Sequence, residues 1–338
     1  MFLYLTTNGA TVNKSWWRFV IQSSRGDPDL TEQQIPISLV EGIIVFGQIH
    51  LSTSVLKACL KGKIPVFFVS KYGNYFGKLE SLEFSNVDFL YRHIQASLDQ
   101  KISLEYAKAF VYAKVHNARE MLLKWSRRYR TNISLTTLHD LQRYKEKIKN
   151  ATSKEMLRWY EWACARWYFS IFADFIKEPF VFSGRNRRPP KDPVNSLLSL
   201  GYTLLAQTVH MILDIYGINT QIGFFHEPKD IKSLLVLDVM EMYRSWIVDD
   251  LVVRMTQTGK MHPDHFYIHE ENEKRPVLLS DEWLRIFIDQ YYKTVFKSKE
   301  SDIAGKEFIK LKMIEKNLES LKSSLVQKTW DYEGFIIK

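Results

Sequence analysis

Short runs of β-branched and aromatic residues predict strands in the first part of the chain. The runs are FLYLTT, WWRFVIQS, GIIVFG and IPVFFVS. Asn8-Gly9 follows the first run and is typical of a two-residue hairpin turn, so FLYLTT and WWRFVIQS are predicted to pair. Between the last two runs, STSVLKACLKG predicts a short helix with Gly62 just past its end, and KYGNYFGKLE predicts a closing hairpin around Gly73.

The spacing of the apolar positions changes near Asp88. From there apolar residues recur every three or four positions, which is typical of helices packed on one face. Several long helices are predicted, with breaks near residues 130–137, 178–192 and 218–230. Residues 257–280 are mostly polar and are predicted to be a loop, and the tail IAGKEFIKLKMIEKNLESLKSSL predicts an amphipathic helix.

These two patterns predict an α+β fold. A small β-rich domain is expected over residues 1–86, followed by a larger all-α domain over residues 87–338. The stretch LLSLGYTLLAQTVHMILDIYG is the most membrane-like, but Gln207, His210 and Asp214 interrupt it, so it predicts a buried core helix. The N-terminus lacks the pattern of a signal peptide and the chain has two cysteines, so we expect a cytoplasmic protein with no disulfide framework and no membrane partner.

The net charge of +9 is unevenly distributed along the chain. Residues 1–100 sum to +1, residues 101–200 carry 20 lysines and arginines against 9 acidic residues, and residues 201–250 sum to −4. A basic stretch beside a small acidic one is typical of a protein that holds a polyanion near a cation site. A set of solvated helix faces would give the same counts, so charge alone leaves nucleic-acid binding open.

Glu161 lies at the margin of an apolar helix face. The TSKE sequence at residues 152–155 fits a capping box, so a helix is predicted to start there. Glu161 is one turn from Leu157 and from Ala165 on that helix. A carboxylate buried in such a place needs a partner, and the alternative is an exposed helix glutamate, which is the more common case.

A proline-rich basic connector, SGRNRRPPKDPVNSLLSLGY, follows this helix. Its basic side chains are Arg185, Arg187, Arg188 and Lys191. Asp192 is a good N-cap and Pro193 a good first residue for the next helix. A rigid basic connector suits phosphate contacts, because guanidinium groups match phosphate oxygens, whereas the alternative is a solvated linker.

The segment GFFHEPKDIKSLLVLDVMEMYR combines a histidine with two acids. His226 falls in a loop before a helix that is predicted to start near Asp230. On that helix Asp238 and Glu241 are three residues apart, so they share a face. Apolar neighbours one turn away make Asp238 unusual unless it binds something. The alternatives are a satisfied core histidine and a surface pair between Glu241 and Arg244.

Taken together, these polar residues fit one chemistry. Carboxylates with one neutral imidazole suit Mg²⁺ or Mn²⁺, whereas zinc would favour more histidine or cysteine. Such an ion would bind a scissile phosphate and lower the pKa of an attacking hydroxyl, while basic residues would position a DNA backbone.

Several motifs occur in a characteristic order along the chain. They are IPISLVEGIIVFGQIHLSTSVLKACLKGKIPVFFVSKYGNYFGKL in the β domain, YRHIQ with Arg92 and Gln95, AKAFVYAKVHNAREMLL, RNRRPPKDPVNSLLSLGY, GFFH and SLLVLDVMEMYRSWIVD. In this order and spacing the chain resembles the CRISPR-associated integrase, the first of the two universal Cas adaptation proteins. The resemblance runs over nearly the whole chain.

The resemblance implies a metal site formed by Glu161, His226 and Glu241, with Mg²⁺ or Mn²⁺ as the ion. Asp238 also matches an acidic position of the motif, and we expect it to support catalysis or to act as an alternate ligand. In one departure, the family glutamate is usually followed by glycine, whereas Trp162 stands here.

Candidate DNA contacts follow from the same resemblance. The stronger ones are Arg185, Arg187, Arg188 and Lys191. Lys229 and Tyr202 are weaker candidates, and core packing is the favoured interpretation of Tyr202.

The resemblance also implies an activity and an assembly. Members of the family form a homodimer through the β domain, and two dimers flank a dimer of the small ferredoxin-like second Cas adaptation protein. The complex carries a double-stranded DNA, the prespacer, whose 3′-hydroxyls attack the CRISPR repeat by transesterification without ATP.

Two other functions remain open at this stage. The first is a metal-dependent nuclease that acts on branched DNA in repair, with water as the nucleophile. The second is a non-catalytic subunit that bridges DNA through its basic face.

Overall fold

The structure is a computed structural model with two layers of sheet followed by a helical body. It describes residues 2–5, 7–22, 32–70, 75–81, 87–133, 135–186, 189–227, 233–268, 277–297, 299–301 and 307–337. The predicted turn residue Gly73, the predicted helix start at Asp230, and the candidate contacts Arg187, Arg188 and Lys229 lie outside these residues.

Two four-stranded sheets form the N-terminal region. The first contains, in spatial order, β1 (Phe2–Leu5), β5 (Gly42–Phe46), β7 (Val66–Val69) and β8 (Tyr75–Leu79). Its first three strands are parallel, and β8 is antiparallel to β7. The second contains β4 (Gln33–Pro36), β3 (Arg18–Gln22), β2 (Thr11–Ser15) and β6 (His50–Leu51). The predicted helix is α1 (Thr53–Lys61), with Gly62 at its C-cap.

The Asn8-Gly9 hairpin prediction is wrong, although the turn itself exists. Gly9 has a φ of 80°, and its N–H donates to the carbonyl oxygen of Gln48 at 2.7 Å. The turn passes the chain from β1 in the first sheet to β2 in the second, so the strands on its two sides do not pair. The observed hairpin instead joins β2 to β3 and turns at Trp16 and Trp17. The sequence pattern had predicted that these two residues belong to a strand. Turn chemistry is local, whereas strand pairing depends on residues far along the chain.

The first sheet is buried on both faces. One face packs against the second sheet and α1 through a cluster that includes Val12, Phe19, Ile43, Val55 and Val66. The other face contributes Ile44, Phe46, Phe67 and Val69 to the core of the helical body. All five residues of β5 are buried, as expected for the continuous apolar run GIIVF.

Ten α-helices are found in the described residues, nine of them after the sheets. The nine are α2 (Val87–Leu98), α3 (Gln100–Tyr129), α4 (Leu135–Lys149), α5 (Lys154–Phe172), α6 (Pro193–Ile215), α7 (Leu234–Met240), α8 (Asp250–Gln257), α9 (Asp281–Tyr292) and α10 (Lys310–Gln327). A 3-10 turn over Glu241–Tyr243 and a π-helical segment over Arg244–Asp249 join α7 to α8.

Two helix starts that were predicted from capping residues are confirmed. The Ser153 hydroxyl caps α5 by accepting from the Met156 N–H, and the Asp192 carboxylate caps α6 by accepting from the Asn195 N–H at 2.8 Å. The helix that carries Asp238 begins at Leu234, later than predicted. The second region is mostly helical rather than all-α, because it also contains two short antiparallel strand pairs. These are β9 (Phe266–Ile268) with β10 (Val277–Leu279), and β11 (Lys299–Ser301) with β12 (Glu307–Ile309).

The most apolar helix, α6, lies in the centre of the helical body. Among the described residues it is the one helix long and apolar enough to cross a membrane by length and composition. Most of its apolar window is nevertheless buried inside the protein, where it packs against the segment that carries Glu241 and Arg244. The predicted core helix is confirmed.

Candidate active site

Three helical segments bring two glutamates and a lysine together. Lys114 comes from α3, Glu161 from α5, and Glu241 from the turn after α7. The Lys114 ammonium group donates to Glu161 Oε1 in a short contact and lies 2.6 Å from Glu241 Oε2. Arg244 completes the group, with its guanidinium nitrogen 2.9 Å from Glu241 Oε1. The Glu241–Arg244 pair, which the sequence left open as an alternative to metal binding, is therefore present, but it is largely withdrawn from the surface.

The positive charges set the protonation of Glu241. Only 7% of the side chain is exposed, and burial alone would raise the pKa of this carboxyl group. The charges of Arg244 and Lys114 outweigh burial and lower the pKa to about 2. Burial also opposes the charge of Lys114, but Glu161 and Glu241 raise its pKa. The Glu241 carboxylate and the Lys114 ammonium group are therefore both ionised throughout the neutral range.

Asp238 folds the loop that carries His226. Its carboxylate is fully buried and accepts the backbone N–H groups of Phe224, Phe225 and His226 at 2.6, 3.0 and 2.9 Å. The same carboxylate lies 2.6 Å from Nδ1 of His226. A Cβ atom on Gly223 would meet Leu234 Cβ at 2.7 Å, so only glycine fits where this loop passes the helix.

The contact between Asp238 and Nδ1 of His226 orients the imidazole ring. With Nδ1 on Asp238, Nε2 is the ring nitrogen that is left to face another group, an arrangement typical of metal-binding histidines. Burial lowers the pKa of His226, but Asp238 outweighs it, and the charges of Glu241 and Glu161 raise the pKa further. His226 therefore lies within the electrostatic field of both glutamates.

The predicted triad is only partly assembled. Within the ranges that the structure describes, no three His, Cys, Asp or Glu side chains are close enough to hold a metal ion. Glu161 and Glu241 converge, but the ammonium group of Lys114 lies between them. Lys114 was missed by sequence reasoning. A usable indication was its position one turn from Phe110 and Ala118, on the buried stripe of α3.

A second polar cluster lies beneath these residues. The hydroxyls of Tyr168 and Tyr202 donate to the Asp249 carboxylate at 2.6 and 2.7 Å. Burial raises the pKa of Asp249 to about 6 against the effect of these two donors. Arg244 lies over the Tyr202 ring at 4.7 Å and connects this cluster to Glu241. A cavity of about 40 Å³, large enough for a water or an ion, is lined by residues of both clusters.

Three of the candidate DNA-contacting residues lie within the described part of the chain. Tyr202 is buried and its hydroxyl donates to Asp249, an environment that agrees with the core-packing interpretation favoured above. Arg185 donates to Asn195 Oδ1 at 2.7 Å and to Ser199 Oγ at 3.1 Å, which ties the connector to α6. Lys191 is exposed.

Comparison with known proteins identifies the family. The family model for CRISPR associated protein Cas1 matches residues 3–293. A CRISPR-associated endonuclease Cas1 from Chlorobaculum tepidum is 30% identical over 300 residues, covering 86% of this chain and 84% of that protein. One from Thermus thermophilus is 31% identical over 291 residues, covering 84% and 87%.

Solved structures share the fold. A chain of a partial Cas6-RT-Cas1--Cas2 complex has a TM-score of 0.80 at 24% identity and covers 99% of this chain and 98% of its own. A casposase bound to integration product has a TM-score of 0.78 at 23% identity, covering 98% and 97%. At these identities the structures establish the fold, and they confirm the predicted α+β class. From the family match and the two relatives, the chain belongs to the Cas1 family of CRISPR-associated proteins.

Proposed function

We propose that this chain is a divalent-metal-dependent DNA integrase and endonuclease of CRISPR adaptation. One observation carries the proposal: the half-buried Glu161 carboxylate and the buried Glu241 carboxylate, from separate segments, converge on a single cation, and Asp238 holds the ring of His226 on the loop before α7. The names of the relatives, CRISPR-associated endonuclease, and the casposase bound to integration product support the same activity.

The donor set fits a hard divalent ion. Glu241 Oε2 is buried without a well-aligned hydrogen bond to any described residue, and its close neighbour is the Lys114 ammonium group. Glu161, Glu241 and Nε2 of His226 would hold Mg²⁺ or Mn²⁺, because carboxylates and one imidazole suit these ions. When bound, the ion would polarise the scissile phosphate and lower the pKa of the attacking hydroxyl.

The other polar side chains have supporting roles in this proposal. Asp238 keeps His226 in one orientation and tautomer. Arg244 neutralises Glu241 and is placed to attract a phosphate toward the carboxylates. Lys114 neutralises both glutamates until a metal competes for them.

The reaction is a balanced exchange of phosphodiester bonds. A DNA 3′-hydroxyl attacks a phosphate in the CRISPR repeat, a new P–O bond forms, and the old bond breaks to leave a 3′-hydroxyl on the cut strand. Because one phosphodiester replaces another, the step needs no ATP. We further propose that the chain works in the cytoplasm as a homodimer with a Cas2 partner on double-stranded DNA. The Cas2 partner is supported by a structural neighbour that is itself part of a Cas6-RT-Cas1--Cas2 complex.

Product analysis tests this function against its rivals. A labelled duplex with free 3′-hydroxyls is incubated with a repeat-containing DNA, with and without the partner protein. We expect longer, joined strands that require Mg²⁺ or Mn²⁺. Shortened strands alone would support the repair nuclease, and binding that is unaffected by a chelator and yields no product would support the bridging subunit.

Removing the Lys114 side chain tests the metal assignment. Lys114→Met removes the cation that Glu161 and Glu241 share, so we expect Mn²⁺ to bind at least about tenfold more tightly than in the wild type. Calorimetric titration measures the affinity, and Lys124→Met, which alters an exposed lysine on the same helix, is the control. Equal or weaker Mn²⁺ binding by Lys114→Met would show that the metal does not bind between these glutamates.

A further inference from the structure

The backbone is irregular where it carries Glu241 and Arg244. Residues 241–249, which we call the irregular segment, form a 3-10 turn and then a π-helical stretch before α8 begins. Hydrogen bonds in a 3-10 turn have poorer geometry than those of an α-helix, and π-helical turns are frequent at functional sites. The position of the two charged side chains therefore depends on what packs against this segment from behind.

Two fully buried polar side chains bind backbone carbonyl groups of the irregular segment. Asn117 on α3 donates from Nδ2 to the carbonyl oxygen of Met242 at 2.8 Å. The ammonium group of Lys310, at the start of α10, donates to the carbonyl oxygen of Trp246 at 2.9 Å. Moving either carbonyl group would take an acceptor away from a buried donor, which is costly. The two contacts thus fix the backbone on both sides of Arg244.

The C-terminal segment, residues 330–337, is held by the same asparagine. Nδ2 of Asn117 also donates to the carbonyl oxygen of Phe335, and its Oδ1 accepts from the N–H of Ile337, both at 2.8 Å. One buried amide therefore connects α3, the C-terminal segment and the residue that follows Glu241.

Side-chain packing strengthens this connection. The centre of the Phe335 ring lies 5.2 Å from that of Tyr243 and 4.7 Å from that of Trp246. A Cβ atom on Gly334 would meet the carbonyl oxygen of Ala109 at 2.5 Å, so glycine lets the segment lie directly against α3. The C-terminal segment thus fills the space behind the irregular segment.

Much of this support lies beyond the part of the chain that matches the Cas1 family model. The match covers residues 3–293, whereas Lys310 and the C-terminal segment follow it. Their relation to Glu241 is therefore evident from the contacts and not from the family match.

We propose that Asn117, Lys310 and Phe335 are positioning residues for the metal site. They act through the backbone of the irregular segment, and they keep Glu241 in the place where it faces Glu161. The inference rests on the proposed function, because it takes Glu241 as a metal ligand. It adds that the C-terminal segment, which contributes no metal ligand, sets the affinity of the site for its ion.

Calorimetric titration with Mn²⁺ tests the role of the phenylalanine. We expect Phe335→Ala to bind Mn²⁺ about 10–100-fold more weakly than the wild type, the usual effect of removing a group that orients a ligand. Phe335→Leu retains much of the buried volume and should keep most of the affinity. Ile336→Ala changes the next residue, whose side chain is 40% exposed, and should bind like the wild type.

Lys310→Met is an independent variant on the other support. It keeps most of the side-chain volume but removes the donor to the irregular segment, so Mn²⁺ affinity should fall in the same direction. The fold should tolerate the change, because the nearby Asp250 carboxylate keeps its contacts with Trp125 and Arg254. Lys316→Met, which alters an exposed lysine of α10, is the matched control.

Two further measurements distinguish positioning from a general loss of stability. Val55→Ala opens a cavity in the N-terminal core, so it should lower the unfolding temperature but leave Mn²⁺ affinity unchanged. In the presence of a chelator, the amides of Tyr243 and Trp246 should exchange faster in Phe335→Ala than in Ile336→Ala, because the irregular segment has lost its packing.

The outcomes separate this inference from the proposed function. Wild-type Mn²⁺ affinity, or unchanged amide exchange, in a folded Phe335→Ala protein would overturn the proposal, and Lys310→Met decides by the same criteria if Phe335→Ala does not fold. If Glu241→Gln loses Mn²⁺ binding while Phe335→Ala keeps it, the metal assignment stands and the positioning inference fails. If Glu241→Gln binds Mn²⁺ like the wild type, the metal assignment itself fails.

Discussion

His226→Ala is expected to reduce strand joining on the order of 10³-fold while the protein still folds and binds DNA. The imidazole is the proposed nitrogen ligand of the metal, and loss of a group that stabilises the charged transition state typically costs about 10²–10³-fold. The fold should tolerate the change, because Asp238 keeps its three backbone N–H donors when the ring is gone.

Single-turnover joining rates, measured with thermal unfolding and DNA affinity, check this prediction. His139→Ala alters an exposed histidine on α4 and should react like the wild type. A fully active His226→Ala protein would contradict the site assignment.

His226 gives a cleaner test than either glutamate. Glu161→Gln and Glu241→Gln should abolish joining as well, but Glu241→Gln leaves the half-buried Lys114 and Arg244 without the buried carboxylate that they share. Removing one partner of a buried ion pair typically costs about 3–5 kcal/mol of folding free energy. Loss of activity in Glu241→Gln would therefore combine a chemical effect with a structural one.

The second large effect is expected for Asp238→Asn, at about 100-fold in the joining rate. Asparagine offers one acceptor oxygen where the carboxylate now accepts three backbone N–H groups and contacts Nδ1 of His226. Its NH₂ group would face N–H donors, so the loop should loosen and the imidazole should lose its fixed orientation. Loss of such an orienting partner typically costs about 10–100-fold in activity, and an unsatisfied buried donor costs about 1–3 kcal/mol of folding free energy.

Hydrogen exchange distinguishes this mechanism from a direct loss of metal binding. The amides of Phe224, Phe225 and His226 should exchange faster in Asp238→Asn, and the joining rate should fall with them. Asp289→Asn, on the exposed side of α9, is the control. Unchanged exchange together with an unchanged rate would show that Asp238 does not hold the loop.

Local chemistry made parts of the molecule predictable. The starts of α5 and α6 follow from Ser153 and Asp192, because a cap acts within its own turn. The buried strand β5 and the core helix α6 follow from their apolar patterns. In each case the residues that decide the structure are neighbours in the sequence.

Contacts between distant residues could not be predicted in this way. Asn8-Gly9 makes the expected turn, but which strands pair depends on residues of the other sheet. Lys114 and Glu161 are 47 positions apart in the sequence, and no local pattern predicts that they form an ion pair. Tyr202 is held inside by Asp249, also 47 positions away. The candidate acids and histidine were identified from spacing and resemblance, whereas the cations that neutralise them required the structure.

The charges of the acidic and basic side chains in the site balance one another. Glu161 and Glu241 are held close together at low cost because Lys114 and Arg244 balance their charge. Under the proposed function, a divalent ion and a DNA phosphate would bring charges of both signs to this place, where basic and acidic groups already lie in contact.

The most direct test of the central claim uses a branched DNA that mimics the half-integrated product. Purified wild-type protein is incubated with this DNA and Mn²⁺, and gels follow whether the branch is released while the continuous strand is rejoined. The account predicts rejoining that disappears with a chelator and in His226→Ala, because the reverse reaction uses the same site. Cleavage without rejoining, or rejoining that persists without metal, would contradict the account.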